Sequence, residues 1–162
     1  MRRKIELEYI FSSSVKVLFS RLSTPAGLSE WFADDVFQKG NQFIFIWNGS
    51  EQPATLVELK SNAVVRFRWD DAEEEDEYFE FNIHVEPLTG DVALIITDFA
   101  DEDEVNDTIE LWNKQMDILH RNLGAWSIRF LMTGESIVNK KTYLCTCFED
   151  FDNVQVTYWQ MK

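Results

Sequence analysis

DEDEVNDTIELWNKQMDILHRNLG, residues 101–124, is the stretch whose reading decides the fold. Within it Val105, Ile109, Trp112, Met116, Leu119 and Leu123 follow one another at steps of four, three, four, three and four. An α-helix turns once in 3.6 residues, so this spacing lays all six along one side and leaves the charges on the other. Asp101 is placed to act as N-cap, with Glu104 three residues on as its reciprocal partner in a capping box. Gly124 is placed to end the helix in a left-handed turn. A long helix with one apolar stripe needs a surface to cover, and nearly everything before it reads as short strands.

Working back from the helix, residues 91–99 (DVALIITDF) read as a strand. In residues 78–86, Phe79, Phe81, Ile83 and Val85 alternate with Glu80, Asn82, His84 and Glu86. In residues 63–70, Val65, Phe67 and Trp69 alternate with Val64, Arg66 and Arg68. A period of two is the mark of a strand with one face buried. Strands over residues 41–47 and 51–60 flank Asn48-Gly49, a favoured two-residue hairpin turn, and Pro53 suggests an edge or a bulge. Residues 33–39 make a brief strand, and residues 4–11 alternate Ile5, Leu7, Tyr9 and Phe11 against Lys4, Glu6, Glu8 and Ile10. Between these, Ser12-Ser13-Ser14 offer N-cap hydroxyls for a short helix with Val15, Leu18, Phe19 and Leu22 on one face. Thr24-Pro25 starts a second, with Leu28, Trp31 and Phe32 on its buried side. The expected class is α+β, a helix-grip fold: a curved antiparallel sheet of about seven strands on a long C-terminal helix, with two short helices after the first strand.

The phase of the strands also predicts one register. Val65, Phe67 and Trp69 pair only with members of the Phe79, Phe81, Ile83 and Val85 set, and Glu80 meets an outward arginine, either Arg68 or Arg66. Such a pair, if exposed, contributes only ~0.2–1 kcal/mol.

The chain has 162 residues, 45% of them apolar, with 13 Phe and six Trp, enough for one domain with a core. Its net charge of −14 repels phosphate backbones and anionic lipid. Met1-Arg2-Arg3-Lys4 is too short a basic run to reverse that, so nucleic acid is not an expected partner. Glu6 and Glu8 interrupt the N-terminus before it reaches signal-peptide length, and no stretch has the length of a membrane span. The expected compartment is the cytoplasm. Cys145 and Cys147, too close for an easy disulfide and without a second pair for zinc, read as reduced thiols.

The phrase LSTPAGLSEWFAD, residues 22–34, and the phrase TDFADEDE, residues 97–104, carry a family resemblance. Together with the element order they resemble the START-like superfamily, which includes the birch-pollen-allergen fold and the SRPBCC proteins. The likeness is greatest to the branch homologous to activators of the heat-shock chaperone ATPase, and within it to small stand-alone domains of Bacteroidetes-type bacteria. It covers about residues 3 to 124 and implies a sheet gripping the C-terminal helix around a cavity. Functions across such a family range from carrying lipids or hormones to cyclase catalysis and chaperone binding, and fold alone does not choose among them. The organisation is therefore read as a START-like domain over residues 1–124 and an extension over residues 125–162. In the extension, residues 126–131 are placed to continue the helix, and residues 142–148 and 153–161 to make a hairpin. An accessory hairpin, an arm that makes an oligomer and an irregular tail are all compatible with it.

Chemistry-bearing residues are few. His84 and His120 have no Ser or Cys at motif spacing, and both read as surface or rim side chains. Asp34 and Asp35 sit where the cavity edge is expected and could move protons, but a polar turn is the simpler reading. The acidic clusters at 70–80 and 98–107 lack the spacing of a calcium loop. No metal or cofactor motif is visible, and no acid–base pair stands out, which places catalysis third among the functions considered. The rings of Trp31, Phe32, Phe67, Trp69, Phe79, Phe81 and Trp112, with Met116, are the candidate wall of a ligand cavity, weighed equally against a filled core. The preferred function is binding of a small apolar or amphipathic ligand between sheet and helix, by burial at roughly 25 cal/mol per Å². The alternative is a protein-interaction module that meets a partner through its acidic surface or its tail.

Overall fold

The computed structural model describes residues 2–72, 74, 76–124 and 129–132. Strand β1 (Arg2–Phe11) is followed by helices α1 (Val15–Ser23) and α2 (Pro25–Leu28). Then come β2 (Asp35–Lys39), β3 (Gln42–Trp47), β4 (Ser50–Lys60), β5 (Val64–Trp69), β6 (Phe79–Val85) and β7 (Val92–Asp101). Helix α3 (Val105–Leu123) and a short β8 (Arg129–Met132) complete the described chain. All eight strands form one antiparallel sheet in the order β2-β3-β4-β5-β6-β7-β1-β8. This is the α+β helix-grip arrangement, with seven of the strands lying before α3.

The short helices start as their caps dictate. Ser14 accepts from the Val17 N–H, and Thr24 accepts from the Gly27 N–H with Pro25 at the first helical position. Gly27 lies where α1 and α2 nearly touch: a Cβ there would stand 2.3 Å from the Ser20 carbonyl oxygen and 2.7 Å from Arg21 Cα. Asn48 and Gly49 both take positive φ, 51° and 78°, the pair of values that turns β3 into β4 in two residues.

α3 lays Trp112, Met116 and Leu119 into the core, with Val105, Ile109 and Leu123 partly buried at its margins. Its start differs from the expectation. Asp101 is the last residue of β7, and Glu104 is the N-cap, its own side chain making no capping hydrogen bond. The chain reaches α3 through a backbone turn closed by the Glu104 N–H on the Asp101 carbonyl, which moves the cap three residues on from the expected position. Gly124 ends the helix at φ 67°. The expected continuation of the helix through residues 126–131 is also corrected: Arg129–Met132 is strand β8, paired to Glu6–Tyr9 of β1. The hairpin expected over residues 142–161, and both cysteines, lie outside the described residues.

Two details of the sheet depart from the sequence reading. Pro53 lies opposite Ile44 in an interior strand, and the bulge falls further on, between Leu56 and Glu58. The register of β5 on β6 sets Phe67 against Phe79 and Arg66 against Glu80. Glu80 is on the outward phase, yet it is only 7% exposed. Arg66 grips it through Nε and Nη2 at 2.6 and 2.5 Å, and the guanidinium lies 4.5 Å above the Tyr78 ring. Long side chains can cover a nominally exposed position, which the alternation pattern does not register.

His120 is a second case. It reads from sequence as a rim residue, but it is 4% exposed and stacks flat on Phe11 at 3.9 Å. Nδ1 stands 2.7 Å from the Met116 carbonyl and Nε2 3.2 Å from the Ile10 carbonyl, so the ring ties α3 to β1. Burial holds its pKa below the ordinary histidine value, against the pull of those two carbonyls. His84 is exposed, as its strand phase requires.

Candidate functional site

The interior between sheet and helix is organised on Phe32, in the turn after α2. Its ring lies 5.2 to 6.1 Å from those of Trp31, Phe45, Trp47, Phe79, Phe81 and Trp112, edge to face with Phe45, Trp47 and Phe81. Aromatic quadrupoles favour this geometry over a face-to-face sandwich. Phe67 and Trp69 join from β5, stacked on Phe79 at 5.1 and 4.5 Å. The Phe81 and Trp112 rings lie 5.9 Å apart, whereas Trp69 joins them through intervening rings, Phe79 toward Phe81 and Phe45 and Trp47 toward Phe32. Trp31, Phe32, Phe67, Phe79, Phe81, Trp112 and Met116 are all buried in one core, with Trp69 packed against it. The eight side chains proposed from sequence as a cavity wall are thus brought together as mutual packing partners.

One polar anchor sits among them. Asp98, on the inner face of β7, accepts the Trp112 indole N–H at 2.8 Å through one carboxylate oxygen and the Phe99 N–H at 2.8 Å through the other. Burial pushes this carboxyl up to about 6, against those two hydrogen bonds and the nearby Arg2 charge. Glu77 is close by, buried and paired with Arg2. The spacing of α3 placed Trp112 on the inner side, but no local pattern shows that it meets a carboxylate from β7.

Open volume lies beside this core. A cleft of about 390 Å³ is bounded by the segment from Ser29 to Asp34, by Trp47 at the end of β3, and by Gln115 and Ile118 of α3. Of the eight candidates only Trp31 and Phe32 border it. The segment is pinned from several sides. The Phe32 carbonyl accepts the Trp47 indole N–H at 2.8 Å and the Gln115 amide N–H at 3.3 Å. Asn122 of α3 donates to the Glu30 carbonyl at 2.7 Å, and Trp31 donates to the Arg21 carbonyl at 2.9 Å. Asp34 accepts the Asn48 N–H at 2.7 Å, locking the β3–β4 turn to the cleft rim.

Trp47, Gln115 and Ile118 are absent from the sequence-derived set. Ile118 and Gln115 flank the main stripe of α3, and a wider stripe of the kind a core-facing helix uses would have included them. Trp47 was legible only as the end of a strand apolar on both faces. Among the described residues, no group of three His, Cys, Asp or Glu side chains is arranged to hold a metal ion, and no helix is long and apolar enough to cross a membrane.

Comparison with known proteins follows the same outline. A family model described as a START-like superfamily domain matches residues 1–125. A Bacteroides fragilis protein solved by NMR in solution is 36% identical over 85% of this chain and 98% of its own, with a TM-score of 0.56. The Aha1 dimer from Colwellia psychrerythraea is 18% identical over 75% of this chain and 96% of its own, at a TM-score of 0.64. A Cytophaga hutchinsonii protein is 15% identical, covers 75% of this chain and 94% of its own, and superposes at 0.61. The last two likenesses are of fold. No curated protein matches the chain.

Proposed function

The chain belongs to the START-like superfamily, and from that premise we propose that it binds a small amphipathic molecule in the cleft beside Phe32. The observation that carries this reading is the cleft's make-up: about 390 Å³ with the rings of Trp31, Phe32 and Trp47 and the Ile118 side chain on one hand, and Ser29, Glu30, Asp34 and Gln115 on the other. That volume and that mixture suit a small ligand whose apolar body is buried and whose polar end is oriented. The rings behind the cleft pack on one another, so they act as its rigid floor. Rigid walls reduce the ordering cost of binding.

Native mass spectrometry of freshly purified protein tests the reading directly. A retained small molecule in the wild-type protein, lost in Ile118→Trp where the larger ring fills the cleft, is the expected result. Retention undiminished in Ile118→Trp places the ligand elsewhere, and a wild-type protein that takes up no amphipathic probe removes the reading.

A protein-interaction role is the second reading, favoured by Phe37, Val57 and Leu59, which stand 55%, 56% and 53% exposed on β2 and β4. Exposed aromatic rings such as Phe37 are enriched in partner surfaces. Cross-linking that maps to β2 and β4, and is lost in Phe37→Ser with Val57→Ser, supports it.

A further inference from the structure

We propose that the polar end of the ligand is a cation, a primary ammonium on an apolar body. This inference rests on the reading that the cleft binds an amphipathic molecule, and it adds the chemical class. Hydrogen-bond donors around the cleft are largely spent within the protein, and acceptors are not. Every backbone N–H from Ser29 to Asp34 is spent inside the protein: Ser29 on Pro25, Glu30 on Gly27, Trp31, Phe32 and Ala33 on Leu28, and Asp34 on Ile46. The two indole N–H groups are spent on the carbonyls of Arg21 and Phe32. The Ser29 hydroxyl donates to the Ala26 carbonyl at 3.0 Å.

What remains is mostly acceptors. Gln115 must turn its amide nitrogen to the Phe32 carbonyl, since its oxygen would be repelled there. Its Oε1 is buried without a hydrogen-bond partner among the described residues. Asp34 uses one oxygen on the Asn48 N–H, and Glu30 uses one on Arg21. Each keeps a second oxygen, and both residues are exposed at the rim. Arg21 is held by Glu30 and does not line the cleft. A carboxylate or phosphate entering here would find one lining side-chain donor, the second hydrogen on Gln115 Nε2, against the lone pairs of Gln115 Oε1 and the charges of Asp34 and Glu30; the Arg21 Nε, unpartnered among the described residues, lies behind Glu30, outside the lining. A hydroxyl offers one proton. An ammonium offers three protons and a charge of the right sign, and the aromatic residues Trp31 and Trp47 in the lining suit a cation better than an anion.

The test uses octylammonium, octanol and octanoate, matched in chain and different in head group. The readout is the indole N–H signals of Trp31 and Trp47 in ¹H–¹⁵N spectra of the full chain, assigned by Trp→Phe variants. The expected result is that octylammonium saturates both signals at about tenfold lower concentration than octanol, a margin that one ion pair and one cation–π contact together supply. Octanoate should leave them unmoved. Asp34→Asn, which keeps an acceptor for Asn48, should erase most of that margin, while Glu86→Gln, an exposed carboxylate on the β6–β7 turn, should not. Equal binding of all three probes overturns the cation assignment and leaves the amphipathic reading standing. Equal effects of Asp34→Asn and Glu86→Gln also overturn it, because the attraction would then belong to the acidic surface as a whole. Failure of every probe to move either signal removes the underlying reading itself.

Discussion

Replacing Trp112 by Phe should destabilise the protein more at high pH than at low pH. Asp98 titrates at about 6 instead of near 3.8, because burial outweighs its two hydrogen bonds. The folded state therefore keeps this proton to higher pH than the unfolded chain does. The sign follows: this group's contribution is most favourable below about pH 4 and is lost as pH rises through about 6. The full displacement corresponds to about 3 kcal/mol, taken as an upper figure for a mostly buried side chain. The Trp112 indole N–H bonds one of the two carboxylate oxygens and so favours the ionised form. Phe keeps the stack on Phe32, which is 5.7 Å away and nearly parallel, but removes that donor. Asp98 then titrates higher still, and each further pH unit adds about 1.4 kcal/mol to the cost at alkaline pH. Near pH 8 the loss is ~1.5–3 kcal/mol for a hydrogen bond to a charged acceptor, plus ~1–2 kcal/mol for the smaller ring. Near pH 4.5 the acceptor is neutral and the hydrogen-bond part falls to ~0.5–1.5 kcal/mol. Urea melts of both proteins at both pH values measure this. The two proteins differ only at residue 112, so the difference between them reports on the pairing of Trp112 with Asp98. A wild-type-to-variant gap that is the same at both pH values, or larger in acid, would refute the reasoning.

The outward phase of Glu80 would make its loss nearly harmless, but its burial under Arg66 raises the expected cost of Glu80→Ala to ~1–3 kcal/mol; Arg66 keeps Glu58 at 3.1 Å, which holds the figure below that of a stranded charge. Phe81→Ala should still exceed it, at ~3–5 kcal/mol, and denaturant melts that reverse the order would mean the sheet faces are misassigned. Gly27→Ala should cost ~1–3 kcal/mol or more, since the methyl meets backbone atoms of Ser20 and Arg21 that cannot swing aside; an unchanged melting temperature would show that α1 and α2 stand further apart. Removal of residues 126–162 should leave a chain with native circular dichroism and a cooperative melt, because β1 to α3 make the sheet–helix core without it; it also uncovers the β1 edge that β8 pairs, so self-association should rise in sedimentation runs. A molten truncated protein would mean that the extension closes the core.

The sequence by itself determined the class, the order of elements from β1 to α3 and which face of each is buried. Period two in residues 63–70 and 78–86, and the four-three alternation of α3, are local properties of the backbone geometry, and they need no tertiary contact to be read. The parity of β5 on β6 followed from the same rule, leaving only the choice between neighbouring registers, which the bulge-free pairing of Phe67 with Phe79 settles. The candidate rings of β5, β6 and α3 were also legible as a set, since each lies on an inward phase, and Trp31 and Phe32 follow α2 as large apolar residues. Whether they enclose space or fill it was not, because that depends on side-chain volumes meeting across elements distant in sequence. Phe32 comes from the turn after α2 and is surrounded by rings from β3, β6 and α3, and the open volume moves to its flank, where Gln115, Ile118 and Trp47 converge. Burial of Glu80 and His120 was hidden for the same reason. Alternation reports where a Cβ points; whether an arginine folds over it, or a phenylalanine from another strand stacks on it, is decided only when the chain closes on itself.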